Sequence, residues 1–432
     1  MSPGLSRSER GGQSERSDGE TFDLQIDSIA AGGDGVGRHD GMVVFVPRTA
    51  PGDLVRVSAE QRDRLMRGRM IDLLQPSRQR TEPPCEHYLV DRCGGCQIQH
   101  LLYEAQLDAK RGILYDSLTR IGRLQVEQPA VEPSEKPWRY RRKLTLALRK
   151  RDGAWIAGLH RFDAQDVFEL RDCLITHEDV LGAWTAVLAH QQFLPDVREL
   201  RAAVRLLTVG FSFTLEGGRD WVAHDRFFAA IPTLSELWWK PEGKSRRRLQ
   251  SRLTNEQAGA SFTQVNPAVA AKLREWVMSL ATAARPRTAI DAYAGTGDIA
   301  LALAQHGVRV TAIEIDRDAS RVAQERLPEG SRAVAAPVED ALLAALPADL
   351  VILNPPRAGL DPRVPRILAP GAHNAGDREP GPRTIIYISC NPSTLARDLR
   401  RMDAYRIRSL RAFDMFPQTA HVETVCELVP AA

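Results

Sequence analysis

Residues 21 to 75 alternate apolar and polar positions in the short runs FDLQIDSIA, MVVFVP and DLVRVSAE, punctuated by the turns GGDGVGR and RTAPGD. Alternation puts the apolar side chains on one face of a strand, and regular short strands with glycine-rich turns predict a small OB-like β-barrel. Barrels of that kind commonly bind RNA through one face and its loops. From about residue 259 the period changes. Asn266-Pro267 is a helix cap followed by proline at the first helical position, and Val269, Leu273 and Val277 then recur at helical spacing. The strand-like runs TAIDAY, VRVTAIEI, DLVILN, TIIYIS and ETVCELV come after it, with helical segments between several of them. That alternation predicts a doubly wound α/β sheet whose ligands bind at the carboxyl ends of its strands. The expected organisation is a disordered, low-complexity tail over 1–20, the barrel over 21–78, a central α+β region over 79–258 and the α/β sheet over 259–432. Residues 368–383 are expected to form a flexible surface insertion.

Composition narrows this little. Lys and Arg number 58 against 55 Asp and Glu, a net charge of +3, so affinity for nucleic acid has to come from local clusters rather than a global field. Two clusters stand out. Residues 136–151 (KPWRYRRKLTLALRKR) carry eight basic residues and no acid, with Trp138 and Tyr140 interleaved for stacking on bases. Lys244 to Arg252 (KSRRRLQSR) is a second basic run, placed in a loop. No stretch approaches the length of a membrane span and residues 1–20 lack the apolar core of a signal peptide, so a cytoplasmic protein without membrane contact is expected.

The chemistry gathers at the strand ends. Asp291-Ala-Tyr293-Ala-Gly295-Thr-Gly297 closes one predicted strand and opens a helix, and Glu314 ends the next strand. Glycines let a ligand approach the backbone, and an acid at the next strand end suits two ribose hydroxyls. The run also matches a dinucleotide fingerprint, so alone it does not separate NAD from S-adenosylmethionine. Asp291 favours the latter, because a carboxylate can meet a cationic amino acid but repels a pyrophosphate. Asn354-Pro355-Pro356-Arg357 comes after the strand DLVIL, where two prolines hold an extended backbone beside which a planar base can sit. Cys390 lies just past the next strand and beside a helix N-terminus that is expected to lower its pKa, the placement of a nucleophile. Cys426, inside an apolar strand, reads as a buried hydrophobe. Cys85, Cys93 and Cys96 form C-x7-C-x2-C, with Cys173 much later; four thiolates suit zinc or an iron-sulfur cluster, and spacing does not decide between them.

Together these motifs resemble the RNA 5-methyluridine methyltransferase family that modifies tRNA or 23S ribosomal RNA, over nearly the whole chain. Residues 21–75 look like its TRAM domain, and FTQVNP (262–267), DAYAGTG, NPPR, SCNPSTLARD (389–398) and FDMFPQTAHVE (413–423) look like its successive methyltransferase motifs. The resemblance implies a Rossmann-like methyltransferase sheet at the C-terminus, S-adenosylmethionine held by Gln264, Tyr293, Glu314 and Asn354, Cys390 as nucleophile and Glu423 as proton acceptor. It further implies a [4Fe-4S] cluster on Cys85, Cys93, Cys96 and Cys173, and an RNA substrate, ribosomal RNA ahead of tRNA, taken by a monomer. Four departures are visible: Asn354 where many members carry Asp, YRRK (140–143) with Arg142 in place of Asn, Pro337 near the expected adenine pocket, and a longer first cysteine gap. Two other classes share parts of the pattern. A cytosine-C5 or amino-group methyltransferase has the same donor site, and a non-catalytic RNA-binding factor has the barrel and basic clusters but no use for both Cys390 and Glu423.

Overall fold

The computed structural model describes residues 19–162, 164–254, 264–370 and 381–431. Nearly all of the expected N-terminal tail, the start of the FTQVNP motif and most of the expected 368–383 insertion lie outside the described residues. Three sheets organise the rest. Strands β1 (Glu20–Gln25), β2 (Ser28–Ile29), β3 (Gly35–His39), β4 (Met42–Val46), β5 (Leu54–Arg62) and β6 (Leu65–Gln75) form the OB-like unit in the order β1-β5-β6-β4-β3-β2. Its core is the apolar half of the alternating pattern, with Leu24, Ile26, Val44, Val46, Val55 and Val57 buried together. Asp53 anchors the unit to the segment after β6: its buried carboxylate accepts from the backbone N–H of Ala50 (2.6 Å) and Ser77 (2.9 Å) and from the Arg80 guanidinium (2.8 Å).

Helix α1 (Tyr103–Asp116) and the short β7 (Ala130–Glu132) come next, before a seven-stranded sheet. That sheet holds β8 (Lys143–Arg151), β9 (Ala154–His160), β10 (Val167–Glu169), β11 (Glu199–Leu206), β12 (Phe211–Glu216), β13 (Leu234–Lys240) and β14 (Arg247–Ser251), in the order β10-β9-β8-β11-β12-β13-β14. Helices α2 (Glu178–Ala189) and α3 (His224–Ala230) supply Val180, Trp184 and Phe227 to the core on one of its faces.

The third sheet carries the predicted α/β pattern. Asn266 caps α4 (Pro267–Ala283) as its pattern predicts, accepting from the Val269 N–H, and Val269 and Val277 are buried. Then come β15 (Thr288–Ala292), α5 (Asp298–Gln305), β16 (Arg309–Glu314), α6 (Arg317–Arg326), β17 (Arg332–Ala335), α7 (Val338–Ala345), β18 (Leu350–Leu353), α8 (Arg363–Leu368), β19 (Thr384–Ser389), α9 (Pro392–Leu399), β20 (Tyr405–Phe413) and β21 (Glu423–Pro430). The order is β17-β16-β15-β18-β19-β21-β20-β7, parallel through β19, with β21 antiparallel to both neighbours. Helix α1 and β7 pack with this sheet, since Ile113, Leu114 and Val131 share a core with Tyr387, Leu395 and Cys426. Cys426 is fully buried there, as expected of a small hydrophobe.

One contact at this seam has no apolar component. Lys110 of α1 and Asp414 are each 0 % exposed and form an ion pair, to which the Tyr103 hydroxyl donates at 2.8 Å; Lys110 also donates to the Phe416 carbonyl at 2.9 Å. Breaking a buried pair leaves one uncompensated charge, which costs about 3–5 kcal/mol, whereas replacing both partners by apolar groups is close to neutral. Asp414→Asn is therefore expected to lower the denaturation midpoint sharply, and Lys110→Met with Asp414→Leu to recover most of the loss. Equal stability of the single and double variants would show that the pair carries no such weight.

Candidate active site

The site lies along one edge of the third sheet, at the ends of five adjacent strands. Taken across the sheet, Glu314 ends β16, Asp291 to Gly297 leave β15, Asn354 to Arg357 leave β18, Cys390 leaves β19, and Glu423 opens β21. The parallel strands deliver their carboxyl ends here. Because β21 is antiparallel, it delivers its amino end to the same edge.

The glycine turn is a closed hydrogen-bonded unit. Gly295 and Gly297 have φ of +56° and +76°, values in the left-handed region that side chains with a Cβ disfavour. A Cβ on Gly297 would stand 2.9 Å from that of Ala323, whereas one on Gly295 would meet open space. The Glu314 carboxylate accepts from Gly295 N–H (2.9 Å) and from Asp316 N–H (2.8 Å), so the acid at the second strand end ties down the turn of the first. Asp291, 2 % exposed, accepts from the Ala300 N–H at 3.0 Å in the first turn of α5. Burial pushes its carboxyl up to about 7; the Ala300 N–H opposes this, and Asp298 and Glu314 add to it. Tyr293 has φ +64° and is half-buried, and burial raises its phenol. Asn354 is exposed and its N–H donates to the Ala292 carbonyl (3.3 Å), which sets it beside Tyr293. Gln264 is exposed and is located through its neighbour, the Val265 carbonyl accepting from Arg142 N–H at 3.2 Å.

The second group sits two strands away. Antiparallel pairing sets Ile388 opposite Val425 and Ser389 opposite Thr424, where the ladder ends; Cys390 comes one residue after Ser389 and Glu423 one before Thr424, and the two groups feel each other's charge. Both groups are harder to ionise than usual. Burial pushes the Glu423 carboxyl up to about 7, opposed by Arg357. Burial also raises the Cys390 thiol, Glu423 raises it further, and Arg357 opposes the shift through its charge and a hydrogen bond to the sulfur. The expectation was of a thiol lowered by the adjacent helix; burial and the facing carboxylate raise it instead. Arg357 is the group that sequence reasoning left without a role, although its place in NPPR was in view; only the strand order shows that it faces both ionisable partners. His421 was missed as well. Its ring meets Phe416 edge-on at 5.8 Å and is held at about 4 by desolvation, with Arg357, Lys110 and Arg141 adding to the effect, so it is neutral at pH 7.

The remaining motif residues hold these groups in place. Asn391 caps α9 by accepting from Ser393 N–H (3.1 Å), while its amide donates to the Arg357 carbonyl (3.4 Å). Arg397 donates to the Ala358 carbonyl (2.8 Å), and buried Asp398 accepts from Leu360 N–H and the Tyr387 hydroxyl, both at 2.8 Å. The NPPR loop is thus fastened to the helix just past Cys390. The loop before Glu423 is fastened from the other side. Gln418 exchanges hydrogen bonds with Gln106 (both 2.9 Å), its carbonyl accepts from Gln97 and Ile98 N–H (both 3.2 Å), and the Pro417 carbonyl accepts from the Tyr140 hydroxyl (3.0 Å). Tyr140 is therefore 5 % exposed and packs against the cysteine loop, so the stacking role expected of its ring is replaced by a structural one, while Trp138 beside it is half-buried.

Cys85, Cys93 and Cys96 are buried and Cys173 packs against them. Burial pushes the Cys93 thiol up to about 11, and Cys173 and Cys85 raise it further. Burial also raises Cys96, and Cys173, Cys93 and Cys85 add to it. The four sulfurs thus share one buried patch, but among the described residues no three His, Cys, Asp or Glu side chains stand close enough to hold a metal ion. A cluster would require these thiols to draw together around it.

Comparison with known proteins agrees with this layout. The family model described as tRNA (uracil-5-)-methyltransferase matches residues 246–333 and 329–429, and the TRAM domain model matches residues 15–63. An uncharacterized RNA methyltransferase of Protochlamydia amoebophila is 32% identical over 435 residues, covering 94% of this chain and 96% of that protein. Another, from Thermosynechococcus vestitus, is 32% identical over 458 residues, covering 95% of this chain and 98% of its own length. Among solved structures, the Pyrococcus abyssi tRNA (uracil-54, C5)-methyltransferase in complex with S-adenosyl-L-homocysteine shares the fold with a TM-score of 0.66 and 24% identity, over 94% of this chain and 99% of that one. With a motif set in matching order and relatives aligned over nearly their whole length, the chain belongs to the RNA uracil-5-methyltransferase family.

Proposed function

We propose that this RNA methyltransferase adds a methyl group to C5 of a uridine through a transient covalent bond between Cys390 and C6 of the base. The observation that carries this reading is the side-by-side placement of Cys390 and Glu423 on neighbouring strands, at the edge where Asn354 and the glycine turn also emerge. S-adenosylmethionine, when bound, supplies an electrophilic methyl group on its sulfonium. The residues present fit it: the open space over Gly295, Glu314 for ribose hydroxyls and the buried acid Asp291 near a cationic amino acid group, with Tyr293, Asn354 and Gln264 completing the proposed set.

Uracil C5 is too weak a nucleophile to take a methyl group unaided. The Cys390 thiolate attacks C6, a C–S bond forms, and the C5=C6 electron pair moves toward O4 as an enolate. C5 then takes the methyl group as the methyl–sulfur bond of the donor breaks with its electron pair kept on sulfur, leaving a carbon that bears both methyl and hydrogen. Glu423 removes that proton, the pair re-forms C5=C6, and the C6–S bond breaks to return the thiolate. Both acids of the cycle have to be ionised at their step, and Arg357 favours ionisation of each. Reaching the site obliges the uridine to leave its stack, at a cost of a few kcal/mol that RNA contacts elsewhere have to offset.

Two finer readings belong to the same proposal. Ribosomal RNA is the first substrate to assay, on the family resemblance of the motifs; tRNA is the second, because the archaeal tRNA enzyme shares the fold over nearly all of both chains and the long architecture therefore does not exclude it. We also infer a [4Fe-4S] cluster on Cys85, Cys93, Cys96 and Cys173. Supporting it are Cys85, Cys96 and Cys173 packed together with Cys93 near enough to feel Cys173 and Cys85, and its contribution when bound is to cross-link Cys173 to the earlier loop, which can supply folding free energy.

Each residue's role has its own test. Cys390→Ala should abolish methyl transfer and lose covalent trapping on 5-fluorouridine RNA, since fluorine does not leave as a proton does; normal turnover in that variant would remove the nucleophile. Glu423→Gln should accumulate a protein–RNA adduct, visible as a shifted band on a denaturing gel, and full turnover without one would assign the proton to another base. With Glu423 near 7 and acting after methyl transfer, kcat should show an acid limb that falls as pH drops through about 7. Arg357 lowers both pKa values, so Arg357→Gln should move that acid limb to higher pH and Arg357→Lys restore part of the shift; an unmoved limb would place Arg357 outside the chemistry. Anaerobically purified protein should contain iron and sulfide, lost on Cys173→Ser, and stoichiometric zinc without sulfide would defeat the cluster.

A further inference from the structure

His421 is a titratable group at the reactive edge that the proposed cycle leaves unused. It precedes Glu423 by two residues, and burial alternates through the segment: Ala420 and Val422 are buried, whereas His421 is exposed and Glu423 half-buried. Alternation of that kind puts the imidazole on the same side as the proposed base. The turn beneath it is tied at several points. Thr419 Oγ1 donates to the Phe416 carbonyl (2.8 Å) and accepts from the His421 N–H (3.3 Å), and the Ala420 N–H donates to the Gln97 side chain (3.4 Å). The Phe416 carbonyl also accepts from buried Lys110 (2.9 Å), and the Phe416 ring supports the imidazole edge-on.

We propose that the imidazole of His421 donates its ring N–H to O4 of the target uracil and stabilises the enolate that forms when the Cys390 thiolate attacks C6. The proposal rests on the reading of this chain as a uridine-C5 methyltransferase and names a further residue of that site. Strand order supplies the direction. β21 has β19 on one side and β20 on the other, and His421 lies in the segment joining β20 to β21, so it stands on the far side of Glu423 from Cys390. The reacting edge of uracil runs C6, C5, C4 in the same order. C6 meets the sulfur, C5 meets the base, and O4 projects from the carbon that comes next. A group just past Glu423 is therefore at the oxygen on which charge develops.

The chemistry of the group suits the task. As the C–S bond forms, the C5=C6 pair moves toward O4, and as that bond breaks the charge returns to sulfur. A hydrogen bond follows the charge with no proton changing hands, so the N–H stays on the ring throughout. Preorganised donors aimed at developing charge act in this way, because the site does not have to reorganise as the charge appears. The ring is neutral at pH 7, held at about 4 first by desolvation and then by Arg357, Lys110 and Arg141. A neutral imidazole carries one N–H, and beside a cationic methyl donor it adds no repulsion. Arg357 is committed elsewhere, through its hydrogen bond to the Cys390 sulfur.

The experiment is single-turnover methylation of substrate RNA carrying uridine or 4-thiouridine at the target position. Sulfur at position 4 is a poor hydrogen-bond acceptor, and its effect on the intrinsic reactivity of the ring is common to every variant, so that effect cancels when variants are compared. His421→Phe keeps the ring contact with Phe416 and removes the N–H, whereas His421→Gln gives up the ring and keeps an N–H donor. On uridine, His421→Phe should be about 10²-fold slower than wild type, and His421→Gln should recover part of the loss. The ratio of the uridine rate to the 4-thiouridine rate should be about tenfold smaller in His421→Phe than in wild type. Kd for RNA and for S-adenosylmethionine should stay within about twofold of wild type, since the interaction is made only as charge develops. A wild-type rate in His421→Phe, the same rate ratio in both proteins, or a loss carried wholly by the RNA Kd would each overturn the proposal. Formation of 5-methyluridine and of the Cys390 adduct by the wild-type protein is read first on the same RNA. Their absence removes the uridine-C5 reading and this proposal with it, whereas their presence with an unchanged rate ratio removes the proposal alone.

Discussion

A strand that runs the wrong way sets the geometry of the site. In a wholly parallel sheet every strand presents its carboxyl end to one edge, and the loops leaving those ends are the sole source of functional groups there. Inserting β21 antiparallel between β19 and β20 brings a strand's first residue to that edge, already in register with the last residues of its neighbour. The ladder of backbone hydrogen bonds runs through Ser389 and Thr424, so Cys390, one residue past the end of β19, and Glu423, the first residue of β21, emerge side by side. A one-residue slip in this register would turn Glu423 to the opposite face. Both faces of β21 are buried, Val425 in one core and Cys426 and Leu428 in the other, so a slip would exchange side chains between two differently packed cores.

The electrostatics of the edge arise from that closeness. Glu423 and Asp291 are both pushed up to about 7 by burial, and the Cys390 thiol is raised as well. Three acidic groups that resist ionisation at one edge make a site short of positive charge, with Arg357 as the cation that faces two of them. A cationic methyl donor would supply the missing charge on the Asp291 side, as Arg357 does on the Cys390 side. The proposed thiolate mechanism calls for such a cation beside its nucleophile, and Arg357 is so placed.

Much of this was legible in the sequence because it is local. The glycine turn, the Asn266 cap, the β15, β16, β18, β19 and β21 runs and the buried role of Cys426 are all set by period, caps and turn chemistry within a few residues. Strand β20, YRIRSLRAF, was not foreseen, because its alternation of Tyr405, Arg406, Ile407 and Arg408 is cut short by a register shift between Ile407 and Ser409. The short β17 and β7 were missed for want of length. The contacts of Tyr140 and Arg357 were beyond reach for a different reason. A tyrosine in a basic run and an arginine after two prolines look like surface groups until tertiary contacts place one against Pro417 and the other beside Cys390. Glu423 had a name only through family resemblance, since a carboxylate at the start of an apolar strand carries no local signal.

The same tertiary contacts explain why the cysteine loop belongs in the architecture. Gln97 and Ile98, immediately after Cys96, donate to the Gln418 carbonyl, and Gln106 and Lys110 of α1 bind Gln418, Asp414 and Phe416. The segment from Asp414 to His421, which leads into Glu423, is therefore held on one side by the residues just past the cysteines and on the other by its own strand. Hydrogen bonds of this kind transmit position, so the order of the cysteine loop and the order of the loop before Glu423 are one property. A group that tightened the four thiols would stiffen the approach to the proposed base without touching it, and a loosened loop would cost alignment at Glu423 while leaving the glycine turn, tied to Glu314, Asp291 and Arg326, as it was.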